Sequence, residues 1–598
     1  MKYRLLLLLV VAGALLSILI GFSEREGTDA STIEVIYDKE HDIYQACVIG
    51  HGEKHTINSY HSNEEDRYYL FMPAFTAGIQ ITDLCGDDAP VAVPDIRIMY
   101  SENIPAVFID LDPDGKTDSS WIYAAREYIH LDKENSLRGH MDVITADGRR
   151  NYAGDLSAVN GRGNSTWRDF RKRPYNFYTE EKASILGLRP GKKWTLLALA
   201  WEGTHLNTRV SLDIAEALDA PYVSGSEWID LYMDGEYLGN YLLIEPVSVG
   251  DGRVPINDLE KWNVSNNENI EDSQPYSEAD EKGYLLENGG NTDGGYLVEQ
   301  VLYSRYDDQD CGFKTKDNEF FSVKAPKHAS MAQVKFIKER FQRISDSIEA
   351  GTPDFTILDM DSAAANAVLQ EVVLNKDAYE VSMFFYKEKG KERIYTGPVW
   401  DMDNTFGETN DAHDGRNFVN PKGGMPRNAI WYPTLMEDER FREEVLKKYK
   451  EIRPELEDIF RDRIDLYSDR IDASMHMDET RWELKRIHYP RGGQYLSYEN
   501  NLRFFRWFYS SRVRYLYETY GMDIDIPGFE GDGTVHKIIL KKDDAVIREF
   551  EVKDGELFGE LPELDPDIYE GWFMEFNNVS YQSFLPVLED AVIYAKRL

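Results

Sequence analysis

Short apolar runs broken by turn residues fill positions 32–100: STIEVIYD, QACVIGHG, RYYLFMPA and GIQITDL. A period of two over such lengths predicts strands, and together they predict a small all-β module over 23–100. IPAVFIDLD and DVITADG, from 104 onward, read as buried strands leading into NGRGNSTW. Near 328 the period becomes helical, in MAQVKFIKERFQRISDSIE and DSAAANAVLQEVVLNKDAY. Strands return in VSMFFYKEKGKERIYTGPVW, where Gly390 and its charged neighbours predict a hairpin turn. Past 430 the pattern is mostly amphipathic helix, as in FREEVLKKYKEI and RIDLYSDRIDASM. Pro527 and Gly528 predict a linker, and 526–598 is strand-like throughout. The sum is an α+β chain. The polar, acidic stretch 251–295 reads as a solvated loop; it lacks the ordered acidic spacing of a dedicated calcium loop.

Composition narrows the function. A chain of 598 residues, 42% hydrophobic and 13% aromatic, can bury several cores. Its formal net charge of −40 argues against nucleic acid as a partner, since phosphate-backbone binding needs concentrated Lys and Arg. The one short basic block is RDFRKRPY. At the N-terminus Lys2 and Arg4 precede an uncharged run, Leu5 to Ile20. That run predicts either an export signal or a membrane anchor over 1–22, and it is the only membrane contact expected. Three cysteines are too few for a disulfide scaffold; a Cys47–Cys85 bridge would leave Cys311 unpaired.

Two constellations could carry chemistry. In RGNSTW, Gly161 and Gly163 permit a tight turn whose N–H groups can cradle phosphate oxygens. Lys172 and Arg173 follow on what reads as a strand, so cations could meet the same phosphates; a plain glycine hairpin with basic neighbours is the bland alternative. The second constellation is LNKDAYEVSMFFYK with GPVWDMDNTFG. Asp377 falls at a turn after a helix, and Asp401 and Asp403 at the end of a returning strand, where a period of two puts both on one face. Such a set suits Mg²⁺ and a general base; solvated strand-end acids and a glycosidase pair are the alternatives.

These segments, in order, resemble the spore coat protein H (CotH) kinase family. The resemblance rests on NGRGNSTW, KRPYNFY, KKWTLLALAWEGTHLNTRVSLDIAEALDAPY, WIDLYMDGEYLGNYLLIEPV, GGYLVEQ, LNKDAY…FFYK, GPVWDMDNTFG and WYPTLMEDERFREEVLKKYKE. It implies an atypical protein-kinase-like domain over 101–525, flanked by the small β modules, that binds ATP with Mg²⁺ or Mn²⁺ and phosphorylates Ser/Thr of secreted or coat proteins. Arg162, Gly163, Asn164 and Ser165 would cover the phosphates. Lys172, with Arg173 as second choice, would be the phosphate cation, its partner acid being Glu202 or Glu299. Asp377 would take the acceptor's proton, and Asp401 would hold the metal with Asp403 assisting. Where the family carries an Asn for a second metal, this chain has Ser382, a weaker ligand. The ending ELPELDPDIYEGWF…EDAVIYAK resembles a β-grasp-like surface repeat of the Listeria–Bacteroides type, with Lys596-Arg597 replacing its usual final Trp. These features imply an exported kinase acting on a surface or spore-coat protein, or a kinase-like scaffold without activity that serves structure or adhesion.

Overall fold

The computed structural model describes residues 32–63, 65–85, 96–112, 135–407, 418–424, 430–482, 495, 497–575 and 580–598. The apolar run Leu5–Ile20 lies outside these residues. Among the described residues no helix is long and apolar enough to cross a membrane.

The strands Ala106–Asp112, Ser136–Ile144, Arg150–Gly161, Tyr175–Ala183 and Gly191–Leu197 pair antiparallel in chain order. Ser226–Met233 then lies parallel to Ala106–Asp112, and its hairpin partner Glu236–Ile244 reaches back to Gly191–Leu197. The sheet therefore closes on itself as a barrel, which removes its edges. Val107, Met141, Val143, Trp194, Ile229 and Tyr241 fill its interior. Alternation sets this core: along Arg150–Gly161 and Tyr175–Ala183, inward side chains are buried and their neighbours less so.

The sheet continues beyond the barrel. Asn58 pairs with Glu236, so the strands Glu53–Asn58, Ile43–Gly50, Thr32–Asp38 and Gln80–Cys85 extend it. A shared core of Tyr44, Val48, Phe71, Phe108 and Tyr232 lies beneath that junction. Cys47 and Cys311 are free thiols, while the side chain of Cys85 lies outside the described part.

A second lobe is built on an antiparallel sheet running from Pro275–Glu278 to Ile394–Thr396. The helix Met331–Glu349 packs on it, its start fixed by a Ser330–Gln333 capping box. The stretch 251–295 is largely solvent-exposed, as its composition suggests, but it is not all loop. It holds the helix Leu259–Asn266, capped by Asp258, and the hairpin Pro275–Glu278/Glu281–Tyr284. Backbone pairing overrides its polar composition there.

The helices Glu439–Asp458, Ile464–Trp482 and Tyr498–Thr519 complete the lobe. Upon the last of them sits the C-terminal sheet, in which Val535–Lys542 and Ala591–Arg597 are central and parallel, flanked by Ala545–Lys553 and Tyr569–Met574. This is the strand order of a β-grasp sheet. Arg503 pairs with Asp554, Asn500 donates to Glu589 at 2.9 Å, and Tyr495 donates to the Pro586 carbonyl, so the sheet is docked rather than tethered.

Candidate active site

The helix Met360–Val373 is buried almost all round. Ala363, Ala364, Ala365 and Ala367 let it lie against the helices Asn207–Ala217, Glu439–Asp458 and Tyr498–Thr519. It stops at Leu374, a left-handed C-cap with φ 49°. The chain emerging there carries Asp377. The Asn375 side chain accepts the Asp377 N–H at 2.9 Å, and Asn404 Nδ2 donates to Asp377 Oδ2 at 3.0 Å. One acid is thus presented from the end of the most buried helix and held by two amides. Asn404 was hidden in plain sight, as the residue after WDMD.

Asp401 and Asp403 are not at a strand end, because the returning strand closes at Thr396. They lie in a loop running against the Asp377 segment: the Lys376 N–H donates to Asn404 O at 3.1 Å, and the Phe406 N–H to Val373 O at 2.8 Å. Met402, 2% exposed, points into the core, and Phe406 packs on Phe505 with ring centres 4.8 Å apart. That apolar frame fixes the loop. Tyr379, Ser382, Asp401 and Phe406 all have positive φ, 51–63°. Each costs about 1–3 kcal/mol for a residue with a Cβ, a strain that persists where packing over-determines the backbone. Ser382 Oγ donates to Asp401 Oδ2 at 2.9 Å, so Ser382 does stand beside the expected metal acid.

Arg162 comes to this corner from the barrel. It follows the strand Arg150–Gly161, and Gly161 is needed there: an added Cβ would lie 2.4 Å from the ring of buried Trp167. The guanidinium sits 5.7 Å from the centre of the Trp400 ring. Burial pushes its pKa down, while Asp401 and then Asp403 oppose the shift. Gly163 has φ 81°, Asn164 is exposed, and Ser165 opens the short helix Ser165–Asp169.

Lys172 and Arg173 are placed otherwise than the sequence suggests. The strand begins only at Tyr175. Lys172 Nζ donates to the Asn240 carbonyl at 2.6 Å and pairs with Asp478 at 2.7 Å, both side chains being almost fully buried. Asp478 belongs to the helix Ile464–Trp482, so this pair joins helix to barrel. Arg173 donates to Phe170 O at 3.3 Å and stacks on Trp167. Among the described residues neither candidate partner acid forms an ion pair with Lys172. Glu202 accepts the Thr208 N–H at 3.1 Å at the start of the helix Asn207–Ala217, and Glu299 pairs with Lys324 at 2.8 Å. Arg162 is the cation on which Asp401 and Asp403 act.

The electrostatics suit a divalent cation. Asp403 is held well above the usual carboxylate range by burial and then by the charges of Asp401, Asp377 and Glu202, with Arg162 opposing. Asp377 is raised by burial and then by Asp401, against the Asn404 hydrogen bond and Lys376. Carboxylates crowded into partial burial are the donor set that a hard cation satisfies. Asp377, Asp401 and Asp403 do not bring a ligand atom each within 4.8 Å of one another, so in this structure they are neighbours rather than a closed set of ligands. The helix Asn207–Ala217 is tied to the same loop, through Asn207 Nδ2 and the Thr405 carbonyl at 2.8 Å.

The family model described as CotH kinase protein matches residues 159–516, a span that takes in Arg162, Asp377, Asp401 and Asp403. None of the curated proteins compared with the chain matches it.

Proposed function

The chain belongs to the CotH kinase family, and from that premise we propose that it is an exported protein kinase, transferring the γ-phosphate of ATP to Ser or Thr hydroxyls of a surface or coat protein. The observation that carries the reading is the meeting of Asp377, Asp401 and Asp403 with Arg162 between the barrel and the second lobe. Asp401 and Asp403 would hold Mg²⁺ or Mn²⁺, which when bound neutralises charge on the phosphates. Arg162 places a further positive charge beside them, where charge shifts during transfer. Asp377 orients the acceptor hydroxyl and takes its proton as the hydroxyl oxygen bonds to phosphorus and the bond to the leaving ADP oxygen breaks. Asn404 donates to that carboxylate, and Asn375 accepts the Asp377 backbone N–H. Asp377 and Asp401 thus have different tasks from different positions. Export is proposed from Lys2, Arg4 and the run Leu5–Ile20.

A second reading has its own support. Lys172, the cation expected on the phosphates, is engaged with Asp478, and Ser382 stands where a second metal's amide would. Both favour a kinase-like scaffold that no longer transfers phosphate. A thermal-shift titration with ATP and Mg²⁺ separates the two readings. A kinase gains about 2.7 kcal/mol of apparent stability at a hundredfold excess over Kd. A folded chain whose melting temperature ignores millimolar ATP and Mg²⁺ overturns the kinase reading.

A further inference from the structure

We propose that a basic cleft at the junction of barrel and second lobe docks an anionic stretch of the protein substrate, a docking role that rests on the kinase reading above. The cleft has a volume of about 850 Å³. It lies between the turn leading into Gly191–Leu197, the segment 248–262 that crosses from the barrel to the second lobe, and the tip of the hairpin Phe384–Lys387/Ile394–Thr396. Lys182, Lys192, Lys193, Arg253, Lys261 and Lys389 line it. In a chain of net charge −40 such a concentration of cations is a local reversal of sign.

Acids in and behind the cleft offset only part of it: Glu245 faces Arg253 Nη1 at 3.5 Å and Glu181 faces Lys192 at 3.7 Å. Asp258 is engaged in capping a helix, accepting the Glu260 N–H at 2.9 Å, and Asp293 faces Lys389 at 3.7 Å. Asp251 is exposed. Lys182 and Lys261 are exposed and make no ion pair among the described residues. Arg253 lies at the base of the cleft, where its charge is shared with buried Glu245. It is 8% exposed, stacks on Trp194 at 5.0 Å, and bonds the Arg189 and Gly252 carbonyls through Nη1. Its Nη2 lies against Gly191 in the cleft wall and finds no acceptor among the described residues. The ligands for a carboxylate or phosphate oxygen are the lysines above it, Lys182, Lys192, Lys193, Lys261 and Lys389. Trp262, also lining the cleft, is half-buried and offers an apolar surface beside those charges.

The cleft is also within reach of the acid corner. From Lys389 the strand leads back to Ser382, which bonds Asp401. Seven residues at about 3.3 Å each set the separation at no more than about 23 Å. A spacer of about seven extended residues is therefore long enough to span from Lys389 to the Ser382 corner. The occupant is a short peptide rather than a nucleic acid, because the overall negative field repels a long polyanion. The occupant is a cluster of Asp and Glu, the anionic groups that a substrate carries before any phosphate is added; phosphorylated Ser presents the same oxygen chemistry and is the alternative that the test distinguishes.

The test uses fluorescein-labelled peptides with one Ser acceptor and, seven residues away, a block of Glu, a block of phosphoserine, or a neutral block. Anisotropy titrations of the full chain are expected to give salt-sensitive binding of the charged peptides and weak binding of the neutral one. The double substitution Lys182→Glu/Lys261→Glu is expected to weaken that binding at least tenfold and to raise KM without lowering kcat, leaving peptide-independent ATP turnover unchanged. Binding of the Glu peptide supports the proposal, and binding of the phosphoserine peptide alone overturns its assignment to acidic substrate. Equal binding of the neutral peptide, displacement of peptide by ATP, or indifference to the charge reversal in a folded variant overturns the proposal. Absence of any phosphate transfer by the wild type removes the kinase reading instead, and the anisotropy still decides whether the cleft binds anionic peptide.

Discussion

Asp401→Asn is expected to lower the rate of phosphate transfer at least a thousandfold while the chain keeps its fold. The substitution preserves shape and the bond from Ser382 but removes the charge that the metal needs, in a loop whose other acid is already pushed toward neutrality by burial and its neighbours. A single preorganised electrostatic group removed from such a site costs 10²–10³ in rate, and a metal ligand also costs occupancy. Asp377→Asn is expected to cost about 10²–10⁴, through loss of the proton acceptor, with nucleotide binding intact. Rates with saturating ATP and Mn²⁺, beside circular dichroism of each variant, check both. Dispensable Asp401 and Asp377 together would mean that the transferring site lies elsewhere.

The second large effect concerns Lys172. Replacing it with Met leaves the Asp478 carboxylate buried against Asn240 and without its cation, a change expected to cost about 3–5 kcal/mol of stability. Asp478→Leu should be destabilising as well, since it strands the ammonium. The double variant Lys172→Met/Asp478→Leu should recover much of the loss, because removing both charges is milder than removing one. Denaturant titration of the four chains measures the coupling. Transfer activity then separates two roles. Recovered activity in the stable double variant makes Lys172 a tie between barrel and helix, whereas a stable but inactive double variant returns it to the phosphates.

Much of the secondary structure was legible because its cause is local. The 3.6-residue period in MAQVKFIKERFQRISDSIE gives the helix Met331–Glu349, and Gly390 marks the hairpin turn where φ is 70°. The CotH motifs led to the family that matches 159–516. What stayed hidden depends on tertiary contact. Nothing near Lys172 announces Asp478, which arrives on a distant helix to share a polar pocket with Asn240. The closure of the barrel depends on Glu236–Ile244 pairing on two sides, which alternation along a single strand cannot express. The turn at Asp401 was read as strand because an Asp, not a Gly, occupies its left-handed position. Likewise 251–295 is solvent-facing as expected, but its strands show only once they find partners.

The central claim is that the loop of Asp401 and Asp403, faced by Arg162, holds a metal–nucleotide complex. Electron paramagnetic resonance of Mn²⁺ titrated into the full chain, with and without ADP, tests it most directly. Tight Mn²⁺ binding that requires nucleotide, disappears in Asp401→Asn and survives in Lys172→Met/Asp478→Leu is the predicted result. Nucleotide-dependent Mn²⁺ binding left untouched by Asp401→Asn, or none at all in the folded wild type, would contradict it.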